Sequence, residues 1–206
     1  MSDVTILTGD GEGLEGRWDG PSDPDAAVVL CHPHPEHGGT MTVPLIAAVA
    51  RALAAGGGAV LRFNFRGVGS STGRFGGGVA EVDDVAAAVA EARLTHPALP
   101  LGLAGWSFGA ATALRWQARD GDDSPYVGIA PPLSRESTPA LPAAAALAPA
   151  RRRFVLGDRD QFVTVDELQG YADSIAAELV VMRGSDHFFH FRDQRVAELV
   201  ADGLRG

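Results

Sequence analysis

Short apolar runs alternate with helix-length segments along almost the whole chain, and this alternation limits what it can fold into. Residues 26–31, 59–65, 101–104, 126–130, 154–156 and 178–182 read as strands, several of them continuously apolar as in a buried sheet. Residues 4–7 and 14–18 read as two shorter strands around the glycine-rich turn at 9–13. Residues 45–55 carry Leu45, Val49 and Leu53 on one helical face and stop at Gly56-Gly57-Gly58. A helix over 79–94 opens on Glu81, Asp83 and Asp84, which suits the helix dipole. Further helices fit 165–177 and 191–204. Strand–helix alternation implies an α/β fold, with a mostly parallel central sheet flanked by helices. At 206 residues, a single domain over 1–206 is expected. A chain of this size buries about 70% of its unfolded surface.

Charge narrows the partners. The net charge is −9, and all 17 cationic side chains are arginine. A nucleic-acid binder would show a basic patch. The one basic cluster, Arg151-Arg152-Arg153, directly precedes Phe154-Val155-Leu156 and reads as the solvated lead-in to a strand. No apolar stretch reaches the ~20 residues of a membrane helix. The first residues lack the basic region and apolar core of a signal peptide, and Cys31 has no disulfide partner. A cytoplasmic protein is expected, with no nucleic-acid or membrane partner.

The chemistry concentrates at strand ends, where parallel sheets bind ligands. Gly105-Trp106-Ser107-Phe108-Gly109 is a G-x-S-x-G pattern between the strand at 101–104 and the helix formers at 110–116. Strand, tight turn and helix together expose a serine as a nucleophile. A serine hydroxyl needs an adjacent base before it attacks. The loop after Leu156 carries Asp158 and Asp160, and the loop after Met182 carries Asp186, His187 and His190. Serine, acid and histidine on three strand-end loops can form a Ser-His-Asp triad, in which the base takes the hydroxyl proton and the acid orients the base. Ser107, Asp160 and His187 are the candidate catalytic residues. Asp158 and Asp186 compete as the acid, and His190 as the base.

Cys31-His32-Pro33-His34-Pro35, Gly38-Gly39-Thr40-Met41, the run from Arg62 to Ser70, the Ser107 motif and Asp186-His187-Phe188-Phe189 form one set of blocks from about residue 28 to 190. With them the chain resembles the α/β-hydrolase superfamily, and more narrowly the small bacterial α/β-hydrolases related to dienelactone hydrolases. The resemblance implies Asp160 as the acid, three residues after Gly157, with Asp186 fixing the His187 loop. It implies an oxyanion hole with the Phe108 amide as one donor. Pro33 stands where many relatives carry glycine and has no N–H, so the His34 amide becomes the second donor. His32, Arg66 and Trp106 are expected to line the site. Relatives often insert a helical lid after the strand at 126–130. Here Pro131-Pro132 and the alanines of 143–148 leave room for a turn and one short helix. An open, shallow site without a substantial lid is expected. The implied activity is a carboxylesterase acting on small or accessible esters through an acyl-enzyme, with a small-molecule ester as partner and no cofactor.

Two other readings stand beside it. His32, His34 and His37 form H-x-H-x-x-H, the basis of a metal-dependent hydrolase. A catalytic zinc needs three protein ligands and an open position, and only His96, His187 and His190 remain as further imidazoles. No metal is expected. A catalytically weak binding module on the same fold is the third reading. Arg66-Gly67-Val68-Gly69-Ser70 lacks the lysine of a phosphate loop and reads as a turn with Arg66 paired to a carboxylate. Cys31 lies inside a strand without a cationic neighbour, unlike an activated thiol.

Overall fold

The computed structural model describes residues 1–134 and 138–205. Eight strands form one sheet: β1 (Ser2–Leu7), β2 (Gly13–Asp19), β3 (Ala26–Cys31), β4 (Gly58–Phe63), β5 (Leu101–Trp106), β6 (Tyr126–Ile129), β7 (Arg152–Gly157) and β8 (Glu178–Met182). Their order is β1-β2-β4-β3-β5-β6-β7-β8. The hairpin β1–β2 runs antiparallel and pairs antiparallel with β4, and every other neighbouring pair is parallel. The sheet direction of travel reverses between β3 and β5. At such a switch point the loops leaving the two strands part and open a crevice.

Helices cover both faces. Helix α1 (Pro44–Ala55) packs with α5 (Asp193–Arg205), and α2 (Glu81–Thr95) packs with α3 (Phe108–Asp120), while α4 (Val165–Ser174) covers β7 and β8. Every residue of β4 and β6 is buried. Phe63, Phe65, Phe108, Tyr126 and Phe154 are among the largest fully buried side chains. Burying such rings supplies the main driving force, at roughly 25 cal/mol for each Å² removed from water.

Several boundaries and one surface assignment differ from expectation, three boundaries for reasons that bear on the site. Helix α5 starts at Asp193 because Phe189 and Phe191 have φ of 52° and 59°, which no right-handed helix accommodates. Helix α4 ends at Ser174, and Ala176 turns away with φ 53°. Strand β5 continues through Trp106, up to the serine itself. Arg152 is not solvated. It is buried, donating from Nε to Gln117 Oε1 at 3.2 Å and from Nη1 to the Ala148 carbonyl at 3.0 Å.

Candidate active site

The turn from β5 into α3 holds Ser107 at φ 53°, ψ −118°. This is a strained position for a residue with a side chain, and it persists because the surroundings over-determine it. The Ser107 N–H donates to the Ile129 carbonyl at 2.7 Å. A Cβ on Gly105 would lie 2.6 Å from Ala110 N, and one on Gly109 would lie 2.3 Å from the His32 carbonyl oxygen. Only glycine allows the strand, the helix and the β3 loop to approach so closely.

Three loops then converge. The Ser107 hydroxyl lies 2.9 Å from His187 Nε2, and His187 Nδ1–H donates to Asp160 Oδ2 at 2.7 Å. The Asp160 side chain is fully buried and the imidazole nearly so. The other carboxylate oxygen, Oδ1, accepts the Phe162 and Val163 amides at 2.8 and 3.0 Å. Asp160 is therefore fixed on one side by its own turn and fixes the histidine on the other. Trp106 Nε1–H donates to the His187 carbonyl at 3.3 Å, and the Gln161 side chain accepts the His187 amide at 3.3 Å. The competing acids have other tasks. Asp158 Oδ1 accepts the Gly184 amide at 2.6 Å, and Asp186 Oδ1 accepts the Phe188 amide at 3.0 Å. His190 is mostly exposed and sits near Asp186 at 3.9 Å.

Ser107 opens into a cleft of about 800 Å³. His34, Trp106 and Phe108 line it, as do Val43, Pro44 and Leu45 at the start of α1 and Phe162, Phe188 and Phe191 opposite. The cleft is neither shallow nor poor in apolar wall. Phe162 and the 188–191 segment wall one side of it, and Pro132 and Thr138 from the connection between β6 and β7 also reach it. The loop before α1 is clamped through the backbone of Met41. Asn64 Oδ1 accepts the Met41 amide at 2.8 Å, and Arg62 Nη1 donates to the Met41 carbonyl at 2.8 Å. Arg62 is in turn held by buried Asp19 at 2.7 Å.

Two residues expected in the lining lie behind it. Arg66 is buried in an ion pair with fully buried Asp84, Nη2 to Oδ1 at 2.7 Å, and reaches Asp10 at 2.8 Å. Burial raises the Asp84 carboxyl above its ordinary range, and Arg66 offsets part of that. The Arg66 hydrogen bond lowers Asp10 to about 2. His32 is wholly buried. Its Nε2 accepts the Phe65 amide at 3.0 Å, and its Nδ1–H donates to the Pro33 carbonyl at 2.6 Å. Burial pushes its pKa down to about 4, so the ring is neutral. With both nitrogens bonded, His32 has no lone pair for a metal, and the H-x-H-x-x-H set loses its first ligand. Among the described residues no three His, Cys, Asp or Glu side chains are grouped to hold a metal ion. Cys31 is buried, and its thiol is pushed above its ordinary range by that burial. No described helix is long and apolar enough to cross a membrane.

Sequence reasoning missed the aromatic side of the cleft. The signal was the run Phe188-Phe189-His190-Phe191 directly after His187, of which Phe188, His190 and Phe191 turn outward and Phe189 is buried once the helix is delayed to Asp193.

Comparison with known proteins agrees with this architecture. The chain is 32% identical over 202 residues to an uncharacterized protein of Rickettsia prowazekii, covering 93% of this chain and 84% of that one. A serine hydrolase of Xanthomonas campestris described as lacking a lid superposes with a TM-score of 0.86 at 31% identity, over 99% of this chain and 93% of that one. An α/β serine hydrolase homologue from Coxiella burnetii gives a TM-score of 0.86 at 33% identity, over 98% and 97% of the two chains. Residues 22–190 match the family described as serine aminopeptidase, S33. On this match and these relatives, the chain belongs to that family of α/β serine hydrolases.

Proposed function

We propose that the protein is a carboxylic ester hydrolase working through Ser107, His187 and Asp160. The observation that carries this reading is the unbroken hydrogen-bond chain from the Ser107 hydroxyl to Asp160 Oδ2 at the floor of the cleft. His187 Nε2 takes the hydroxyl proton as Ser107 Oγ attacks the ester carbonyl, and Asp160 stabilises the imidazolium. The proton then passes to the leaving oxygen, and water releases the acid from the acyl-enzyme by the same route.

The oxyanion is held by two backbone amides in this reading. Phe108 N–H lies in the first turn of α3, where no helical carbonyl is available to it and the dipole favours negative charge. The second is His34 N–H. His32 holds the Pro33 carbonyl, and in a planar trans peptide the His34 N–H then points the opposite way.

An aminopeptidase would need carboxylates to receive the substrate ammonium. Asp193 is the one carboxylate in the described lining, which favours an uncharged ester. The setting we assign is cytoplasmic, in keeping with a buried, unpaired cysteine.

The test is fluorophosphonate labelling with turnover of p-nitrophenyl esters and aminoacyl p-nitroanilides. Labelling lost in Ser107→Ala, with ester turnover dominant, is expected. Equal turnover by Ser107→Ala would remove the reading. Binding without labelling would favour a catalytically weak module.

A further inference from the structure

The chain has nine phenylalanines. Three of them are exposed, Phe162 at 42%, Phe188 at 43% and Phe191 at 101%, and all three line the one cleft that holds Ser107. Exposed rings gathered at one place mark a binding surface, whereas scattered ones need no explanation.

Two of the rings flank the base. Phe162 meets the His187 imidazole edge-on at 4.6 Å between centroids and 83° between planes, and Phe188 does so at 5.6 Å and 86°. They face each other at 6.4 Å and 78°, and Phe188 stacks on His190 at 5.7 Å. Both are held at the backbone, by Asp160 Oδ1 for Phe162 and Asp186 Oδ1 for Phe188. The carboxylate that orients His187 thus also sets the position of Phe162.

Reaction chemistry says which part of the substrate meets these rings. When Ser107 Oγ bonds to the acyl carbon and the ester C–O bond breaks, the hydroxyl proton travels through His187 Nε2 to the departing oxygen, which leaves as a neutral alcohol. The leaving group must therefore lie on the His187 side, beside Phe162 and Phe188. The acyl part lies across the cleft, toward Phe108 and the loop before α1. No arginine among the described residues lines the cleft, and Asp193 stands in its wall. An anionic alcohol finds no described cation there.

We propose that Phe162 and Phe188 form a leaving-group subsite that selects neutral esters of apolar, ring-bearing alcohols. This rests on the serine-hydrolase reading above.

The experiment compares kcat/KM for benzyl butyrate and methyl butyrate. The two share one acyl-enzyme and have leaving oxygens of similar basicity, so their ratio isolates the leaving-group contacts and cancels any common disturbance of His187. Wild-type protein is expected to prefer the benzyl ester. The preference should fall about three- to tenfold in Phe162→Ala and in Phe188→Ala, the range for loss of an aromatic pair. Phe162→Leu and Phe188→Leu, which keep apolar cover if truncation loosens either loop, should shift the ratio the same way. Turnover with an unchanged ratio in all four variants would overturn the subsite alone. Wild-type protein that hydrolysed neither ester would overturn the function itself, and the subsite with it.

Discussion

His32 donates from Nδ1 to the carbonyl of Pro33, the next residue in the chain, at 2.6 Å. That single bond turns the Pro33–His34 peptide, and so aims the amide proposed as the second oxyanion donor. Replacing the imidazole in His32→Ala should let this peptide rotate. The expected loss is about 10²- to 10³-fold in kcat with little change in KM, as when one oxyanion donor is removed. Steady-state kinetics on a single ester check it. A change confined to KM would separate His32 from the oxyanion.

The same ring makes folding stability depend on pH. Its folded pKa, about 4, lies below the unfolded value of 6.5. The unfolded chain therefore takes up the proton first as pH falls. The stabilisation is complete above pH 6.5 and is lost on descending toward pH 4, by about 3 kcal/mol. Urea denaturation of wild type and His32→Ala at pH 7, 5.5 and 4.5 should show a steeper fall in the wild type.

Arg66 and Asp84 form a buried pair whose members depend on each other. Arg66→Met should cost about 3–5 kcal/mol, since it strands a buried carboxylate. Adding Asp84→Leu should restore most of that loss. Denaturation midpoints of the two single variants and the double variant test it, and a double variant no better than Arg66→Met would refute the account.

Asp160→Asn keeps an oxygen for the Phe162 and Val163 amides but can present an amide N–H to His187. The imidazole then takes the wrong tautomer. A fall in kcat of about 10⁴-fold is expected, with the thermal midpoint nearly unchanged. Asp160→Ala should lower both, because it also releases the turn at 160–163.

Most of the sheet was legible in the sequence because continuously buried strands such as β3 and β4 leave continuous apolar runs. The Ser107 turn was legible because its glycines answer to close backbone contacts at Ala110 and His32. Strand-end position narrowed the base and the acid to His187 or His190 and to Asp158, Asp160 or Asp186, and the resemblance singled out Asp160. Arg66 and His32 lie one layer below the lining, Arg66 paired to a carboxylate as its turn suggested and His32 packed beneath the site. Their sequence neighbours are those of a site loop, but partners distant in sequence, Asp84 and the Phe65 amide, hold them beneath it. The aromatic wall was hidden for a different reason. Phe189 and Phe191 adopt left-handed backbone conformations, which no helical periodicity predicts, and these set which rings face the cleft. Arg152 looked solvated because its charge was visible and its buried acceptors were not.

The Ser107 hydroxyl and the His187 imidazole are 80 residues apart in the chain, and His187 and Asp160 are 27 apart. No stretch of sequence carries the reaction by itself. A chain cut before residue 187 holds an unassisted serine, and a refolding chain gains its base only when β6, β7 and β8 are all in place beside β5. If the proposed function holds, hydrolysis appears only once that edge of the sheet is complete, and its first appearance on refolding would report the placement of the last three strands.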